Sequence, residues 1–380
     1  MRTLKDINLE NKKVILRVDY NVSIKDGKVV DNNRIKASLE TINYLLEKNV
    51  KIILMSHLGK VKTKEDLNNS LLPVKEELEG LLNKKIYFSS KLKGKELEEL
   101  VNNLKERDIL LLENTRFMDY PNKLESNCDE ELSKYWASLG EVFILDAFAS
   151  SHREHASTYG ISKYLPHAIG FLVLKEIEEL NKIKNENKTL LLGGAKAEDK
   201  IGVIKNLLPT SEKVLIGGKM SATFLKSENI NVGKTLVEDN LLEECKKLIT
   251  TNKIVLPIDV VTENGVKEIG HINTDETIYD IGPETISMYK KVLHNKPLII
   301  INGTMGKYED ENYENGTKEL FNFLKQTKST VVVLGGDAGA ASKKYNFTPS
   351  YLSTGGGASL EYLEGKTLKP LEIMEEKWKQ

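Results

Sequence analysis

KPLIIINGTMG, residues 296–306, and STVVVLGGDAG, residues 329–339, each pass from an unbroken apolar block into glycine and small polar residues. A strand that is apolar at every position, not at alternate ones, is covered on both faces, the condition of a parallel sheet flanked by helices. The signature recurs at KKVILRVDYN (12–21), KIILMSHLGK (51–60), KKIYFSS (84–90), DILLLENTRF (108–117) and EVFILDAFASS (141–151) in the first half. In the second half it recurs at KTLLLGGAK (188–196), KVLIGGK (213–219) and KIVLPID (253–259). Between these runs lie stretches such as LPVKEELEGLLNK, whose apolar positions repeat at three and four. The pattern predicts an α/β chain with a doubly wound parallel sheet in each half.

Length agrees with that count: 380 residues suggest about two domains. The join falls near 170–188, where Val173, Ile177, Leu180 and Ile183 repeat at helical spacing. The expectation is two Rossmann-like domains, 1–170 and 171–365, joined by a helix hinge. No internal repeat or low-complexity segment is visible. Hydrophobic residues at 40% are enough for two cores, and a formal charge of −1 speaks against a general nucleic-acid or membrane-surface binder. Cys128 and Cys245 lack metal or disulfide-framework spacing. The start lacks a signal-peptide core, and no apolar run approaches the roughly 18 residues of a membrane span. A cytoplasmic chain is expected.

The chain carries 49 lysines but six arginines, Arg2, Arg17, Arg34, Arg107, Arg116 and Arg153. Where bare charge suffices this sequence uses Lys, so each Arg marks either a bidentate grip on phosphate or carboxylate, or a structural ion pair.

Ligands of open α/β sheets bind beyond the carboxyl ends of the strands. First-half ends carry gripping side chains: Asp19, Asn21, His57, Arg116, Asp146, His152 and Arg153, with His155 close by. With Arg34 they predict a basic basin for a small polyanion. Second-half ends carry Gly193-Gly194, Gly217-Gly218, Gly303 and Gly335-Gly336, read as glycines that let backbone approach a nucleotide.

Common phosphate motifs fail. Gly233-Lys234-Thr235 lacks the P-loop glycine, since position 228 is Glu228, and no G-x-G-x-x-G follows a strand. Three other segments remain. Ser353-Thr354-Gly355-Gly356-Gly357-Ala358-Ser359 precedes a short helix and offers successive N–H groups, or is a flexible loop. Lys196 and Lys200 are expected on one face of a helix beginning after Gly194, as phosphate ligands or a solvated face. Asp337, after a glycine pair, suits Mg²⁺ or an N-cap.

At these residues the sequence resembles phosphoglycerate kinases over its whole length. The matching stretches include RVDYNV (17–22), MSHLGK (55–60), LLENTRF (111–117), DAFASSHREHAST (146–158), GGAKAEDKI (193–201), INGTMGKYE (301–309), GGD (335–337) and STGGGASLEYLEG (353–365). The resemblance implies phosphoryl transfer between 1,3-bisphosphoglycerate and ADP, giving 3-phosphoglycerate and ATP, with Mg²⁺. It implies a hinge-bending glycolytic monomer without nucleic-acid or membrane partners, its tail 366–380 packed on the first domain. By position, Asp19, Tyr20, Asn21, Arg34, His57, Leu58, Gly59, Lys60, Arg116 and Arg153 would bind 3-phosphoglycerate. Gly193, Gly194, Ala195, Lys196, Lys200, Gly217, Gly218, Asn302, Glu309, Gly335, Gly336, Asp337 and Ala338 would bind nucleotide, with Asp337 the metal residue. Arg34, Lys200, Gly336 and Gly356 would be catalytic.

The chain departs from the family pattern at Lys60, Lys219, Thr304, Lys307 and Ala338. Three readings follow: an active kinase, favoured by Arg34, Lys196, Lys200, Glu309 and Asp337; a weakened paralogue with a regulatory role, favoured by Lys219 and Ala338; and another carboxylate kinase with a changed acceptor, disfavoured because Arg34, Arg116 and Arg153 match the 3-phosphoglycerate site.

Overall fold

The computed structural model describes residues 1–63 and 65–376. The chain divides into two units, Met1–Glu178 with the segment from Thr367 onward, and Glu179–Lys366. The expected tail therefore lies partly outside the described residues, at 377–380. The division falls inside the helix Phe171–Asn185, eight residues beyond the boundary expected at 170.

The first unit is built on six parallel strands in the order Tyr87–Ser89, Ile109–Leu112, Lys51–Met55, Lys13–Val18, Val142–Asp146, His167–Ile169. The central strands are buried along almost their whole length, as their unbroken apolar runs require. One core cluster unites Val14, Leu16, Ile52, Leu54 and Ile144 with Ile42, Leu45, Val74 and Leu78 from the helices. His167 brings the C-terminal segment to the sheet edge: its Nε2 lies 2.8 Å from the Ile373 carbonyl oxygen.

The second unit also has six parallel strands: Ile254–Val255, Ser211–Ile216, Lys188–Leu192, Leu298–Asn302, Thr330–Leu334 and Tyr351–Ser353. In chain order this is 3-2-1-4-5-6, with the topological switch between Lys188–Leu192 and Leu298–Asn302. The crevice beyond the ends of those two strands is where the connections diverge.

The edge strands His167–Ile169 and Tyr351–Ser353, three residues each, are too short to stand out as apolar runs. KIVLPID is not one strand. Pro257 has no N–H to give a ladder, so only Ile254–Val255 joins the parallel sheet. Asp259–Thr262 instead pairs antiparallel with Gly265–Glu268 and Asp280–Ile281 in a separate small sheet.

Candidate functional site

In the first unit, strand ends and the loops after them gather the expected polar residues. Arg34 Nη1 donates to Asp19 Oδ2. Asn21 Oδ1 accepts the Gly59 N–H at 2.9 Å, tying the loop after Val18 to the loop after Met55. Gly59 needs its glycine, since φ is +66°. Leu58 is buried, held at both N–H and carbonyl by the Asn114 amide. Arg116 donates from Nη1 to Asp119 Oδ2 at 2.9 Å, while its buried Nε meets no partner among the described residues. Arg153 Nε approaches His152 Nε2 at 3.1 Å, and Lys60 is exposed.

Tyr20 is fully buried, its hydroxyl 2.8 Å from Ser38 Oγ, so the side chain belongs to the core and faces no ligand. The basin's positive charge comes from arginine, not histidine. Burial, reinforced by Arg17, Arg153 and Arg116, drives His57 well below the usual histidine value. Burial and the same arginines push His155 down to about 3. Both rings are neutral at pH 7.

Arg17 is the residue the sequence marked but left unassigned. It is fully buried beneath the basin, with Nη2 3.2 Å from His57 Nδ1 and Nε donating to Ser157 Oγ at 2.8 Å. Glu125, Ser157 and Asn114 were not singled out, because their role depends on partners distant in sequence.

In the second unit the glycines divide into two kinds. Gly193, Gly217, Gly218 and Gly303 pack the strand-end loops against one another. A Cβ at Gly193 would fall on the Thr304 carbonyl, one at Gly303 on the Gly193 carbonyl, and one at Gly218 on the Gly194 backbone. Their amides are mostly committed too: Gly193 N–H donates to Asn302 O, Gly217 N–H to Leu192 O and Gly218 N–H to Met305 O, at 2.8–2.9 Å. Close packing of loop on loop is thus what requires glycine at these positions, and of the four Gly218 also lines the cleft beside them. Gly194, Gly336 and Gly356 are the second kind, with open space where a Cβ would lie.

A cleft beside this knot, at the switch point, is lined by Gly194, Ala195, Lys219, Tyr279, Glu309 and Asp337 among others. Gly335, at φ +88°, turns the chain into the helix Gly336–Lys344, whose first N–H groups have no partner within the helix. Asp337 is exposed at that end. Ala338 is 1% exposed and belongs to the core cluster with Ile301, Val333 and Ala341. A hydroxyl missing at that side chain is therefore not missing from the cleft lining. Asn302 is likewise buried, its Nδ2 donating to Leu334 O at 2.7 Å, a brace between strands.

Lys196 and Lys200 do not share a helix face. The helix is Glu198–Leu207, begun late because Glu238 accepts the N–H groups of Ala197 and Glu198 at 2.6 and 3.3 Å. Lys196 is exposed in the preceding loop. Lys200 is half-buried in the first turn; burial lowers its pKa, while Asp199, Asp337 and Glu364 oppose the shift. The glycine run Gly355–Gly357 leads into the helix Gly357–Leu363 and is braced by Ser353, whose Oγ accepts the Gly355 N–H and meets Ser359 Oγ at 2.8 Å.

Among the described residues no three His, Cys, Asp or Glu side chains converge as a metal cage. Asp337 offers a single exposed carboxylate, a donor set that suits Mg²⁺ bound mainly by phosphate oxygens and water.

A doubly wound sheet with an anion-gripping basin, and another with glycine-lined amides at its switch point, define an α/β protein of the phosphate-handling class. The family model described as "Phosphoglycerate kinase" matches residues 4–366. The phosphoglycerate kinase of Fusobacterium nucleatum is 44% identical over 396 aligned residues, covering 99% of this chain and all of that one. That of Macrococcus caseolyticus is 44% identical over 393, covering 99% of each. The solved phosphoglycerate kinase of Coxiella burnetii superposes with a TM-score of 0.85 at 34% identity, and that of Pyrococcus horikoshii with 0.83 at 30%, each covering 98% of both chains. The chain belongs to the phosphoglycerate kinase family.

Proposed function

We propose that the chain catalyses reversible phosphoryl transfer between 1,3-bisphosphoglycerate and ADP, yielding 3-phosphoglycerate and ATP in the glycolytic direction. The first unit holds the phosphoglycerate, through Asp19, Asn21, Arg34, His57, Gly59, Arg116 and Arg153, with Lys60 at its rim. The second holds the nucleotide, through Ala195, Lys196, Lys200, Glu309 and the amides from Gly336 onward. Asp337 would hold Mg²⁺ arriving with the nucleotide, and the ion would supply charge that offsets the phosphate oxygens.

The observation that carries this reading is the pairing of a Cβ-free, amide-rich helix start at Gly336 with half-buried Lys200, whose charge Asp337 favours. In reverse the acceptor is a carboxylate, ionised at pH 7, so no general base is required. The chain's own contribution is to orient the reacting groups and to neutralise charge on the equatorial oxygens. Arg34, Lys200 and the Gly336 and Gly356 amides are assigned to that neutralisation. The regulatory alternative leaned on Ala338 and Lys219, and the first of these supports falls with Ala338 in the core cluster. A coupled assay with ATP, Mg²⁺ and 3-phosphoglycerate tests the proposal; a folded chain without turnover would overturn it. The same proposal places the enzyme in the cytoplasm; among the described residues no helix is long and apolar enough to cross a membrane.

A further inference from the structure

Beneath the first unit's basin runs a chain of buried polar groups whose hydrogen-bond directions are all forced. Arg17 is always a donor. Its Nε–H goes to Ser157 Oγ at 2.8 Å, so the serine proton must point elsewhere, and it goes to Glu125 Oε1. Glu125 grips the same residue again, its Oε2 accepting the Ser157 N–H at 3.0 Å, and the Glu125 carbonyl accepts the Ala156 N–H at 2.9 Å. At the far end Arg17 Nη2 lies 3.2 Å from His57 Nδ1. Since the guanidinium has no lone pair to offer, Nδ1 is the acceptor and the ring proton sits on Nε2.

We propose that Glu125, acting through Ser157, is a positioning residue that seats Arg17 and thereby fixes His57 as the neutral, Nε2-protonated tautomer presented to the phosphoglycerate. The proposal rests on the substrate reading above for its last clause only.

The energetics agree with the geometry. Glu125, Arg17 and Ser157 are all fully buried. Burial disfavours the Arg17 charge, and Glu125 is the foremost group restoring it, ahead of Asp19. Burial likewise raises Glu125, with Arg17 first and Ser157 next in holding it down. A buried pair that loses one member leaves the other uncompensated, so Arg17 should leave its place when Glu125 is removed. His155, 4.0 Å from Glu125 Oε1, is neutral and adds no competing charge. Asp119, the next carboxylate along, is occupied by Arg116 and Ser126 and cannot substitute.

The test uses the full-length protein with ¹⁵N-labelled histidine, His57 being assigned by comparison with His57→Gln. Two-bond ¹H–¹⁵N correlations should show unprotonated Nδ1 in the wild type and a tautomer mixture in Glu125→Ala. Steady-state kinetics on the same samples should show KM for 3-phosphoglycerate raised about tenfold, the loss of one hydrogen bond to a charged group, with KM for Mg-ATP unchanged. Glu125→Gln, which keeps an acceptor for the serine proton but loses the charge that compensates Arg17 and one of the two accepting oxygens, should fall between wild type and Glu125→Ala in both. If Glu125→Ala does not fold, Ser157→Ala breaks the same chain with less lost volume and should give the same pair of changes. A single Nε2-protonated tautomer in folded Glu125→Ala or Ser157→Ala would overturn the proposal. Failure of the wild type to turn over 3-phosphoglycerate would strike the substrate reading alone, because the tautomer measurement needs no substrate.

Discussion

Arg34 and Asp19 form an unequal pair: the carboxylate is 6% exposed and fixed, while the guanidinium side chain is 36% exposed and bound to it through Nη1. One edge of the fork is anchored and the other is left to a ligand. Arg34→Ala is expected to lower turnover about 10²-fold with the fold intact, the usual scale for one preorganised donor to developing charge. Arg34→Lys should recover little, because an ammonium cannot hold Asp19 and a phosphate in one plane. Lys200→Ala should cost a comparable factor. Turnover within threefold of wild type in a purified variant would remove that residue from the role.

The two kinds of glycine separate by experiment. Gly218, at φ +65° with a Cβ position on the Gly194 backbone, should tolerate alanine badly, losing about 3 kcal/mol or more. Gly336 has open space around it and an ordinary φ, so Gly336→Ala should melt within a few degrees of wild type. Its affinity for Mg-ADP should nevertheless fall, since the new methyl occupies the approach to the helix amides. Equal melting temperatures for both variants would refute the division.

This division also marks how far the sequence could be read. Unbroken apolar runs located ten segments, nine as strands of the two parallel sheets, because burial on both faces leaves a one-dimensional trace. The exception, KIVLPID, failed where one proline split the run between two sheets. Glycine at a strand end signals close approach, but a sequence does not say what approaches; at Gly193 and Gly303 it is another loop. Histidines beside arginines looked basic, yet burial leaves His57 and His155 neutral. Arg17 was legible as one of six arginines, whereas Glu125 was one more carboxylate until the fold brought Ser157 to it.

Asp146 closes the strand Val142–Asp146 and caps the helix Phe171–Asn185, its Oδ1 accepting the N–H groups of Leu172 and Val173 at 2.9 and 3.2 Å. Its Oδ2 is buried without a partner among the described residues, and burial pushes the carboxyl up to about 7. The folded value exceeds the unfolded one, so folding takes up a proton and this stability is lost as pH rises from about 4 through 7. Asp146→Asn keeps the accepting oxygen but cannot ionise. Relative to wild type it should gain roughly 2–3 kcal/mol between pH 5 and pH 8 in denaturant unfolding. A difference constant across that range would mean that Asp146 is ionised throughout.

Lys219 and Ala338 stand at unlike places, and their effects on nucleotide should differ accordingly. Ala338 is buried in the core cluster, so Ala338→Thr is expected to leave Mg-ADP affinity within about twofold, under 0.5 kcal/mol. Lys219 is exposed on the cleft lining, its Nζ 5.7 Å from the centre of the Tyr279 ring. The ring's negative face attracts the ammonium and holds it along the cleft lining. Lys219→Ala should therefore weaken Mg-ADP binding about three- to fivefold, the scale of one exposed charge, and flatten its dependence on salt. Titration calorimetry at 50 mM and 300 mM KCl reads both effects. Tighter binding by Lys219→Ala at either salt would mean that the side chain crowds the nucleotide, and that glycine at this position is the better residue for the site.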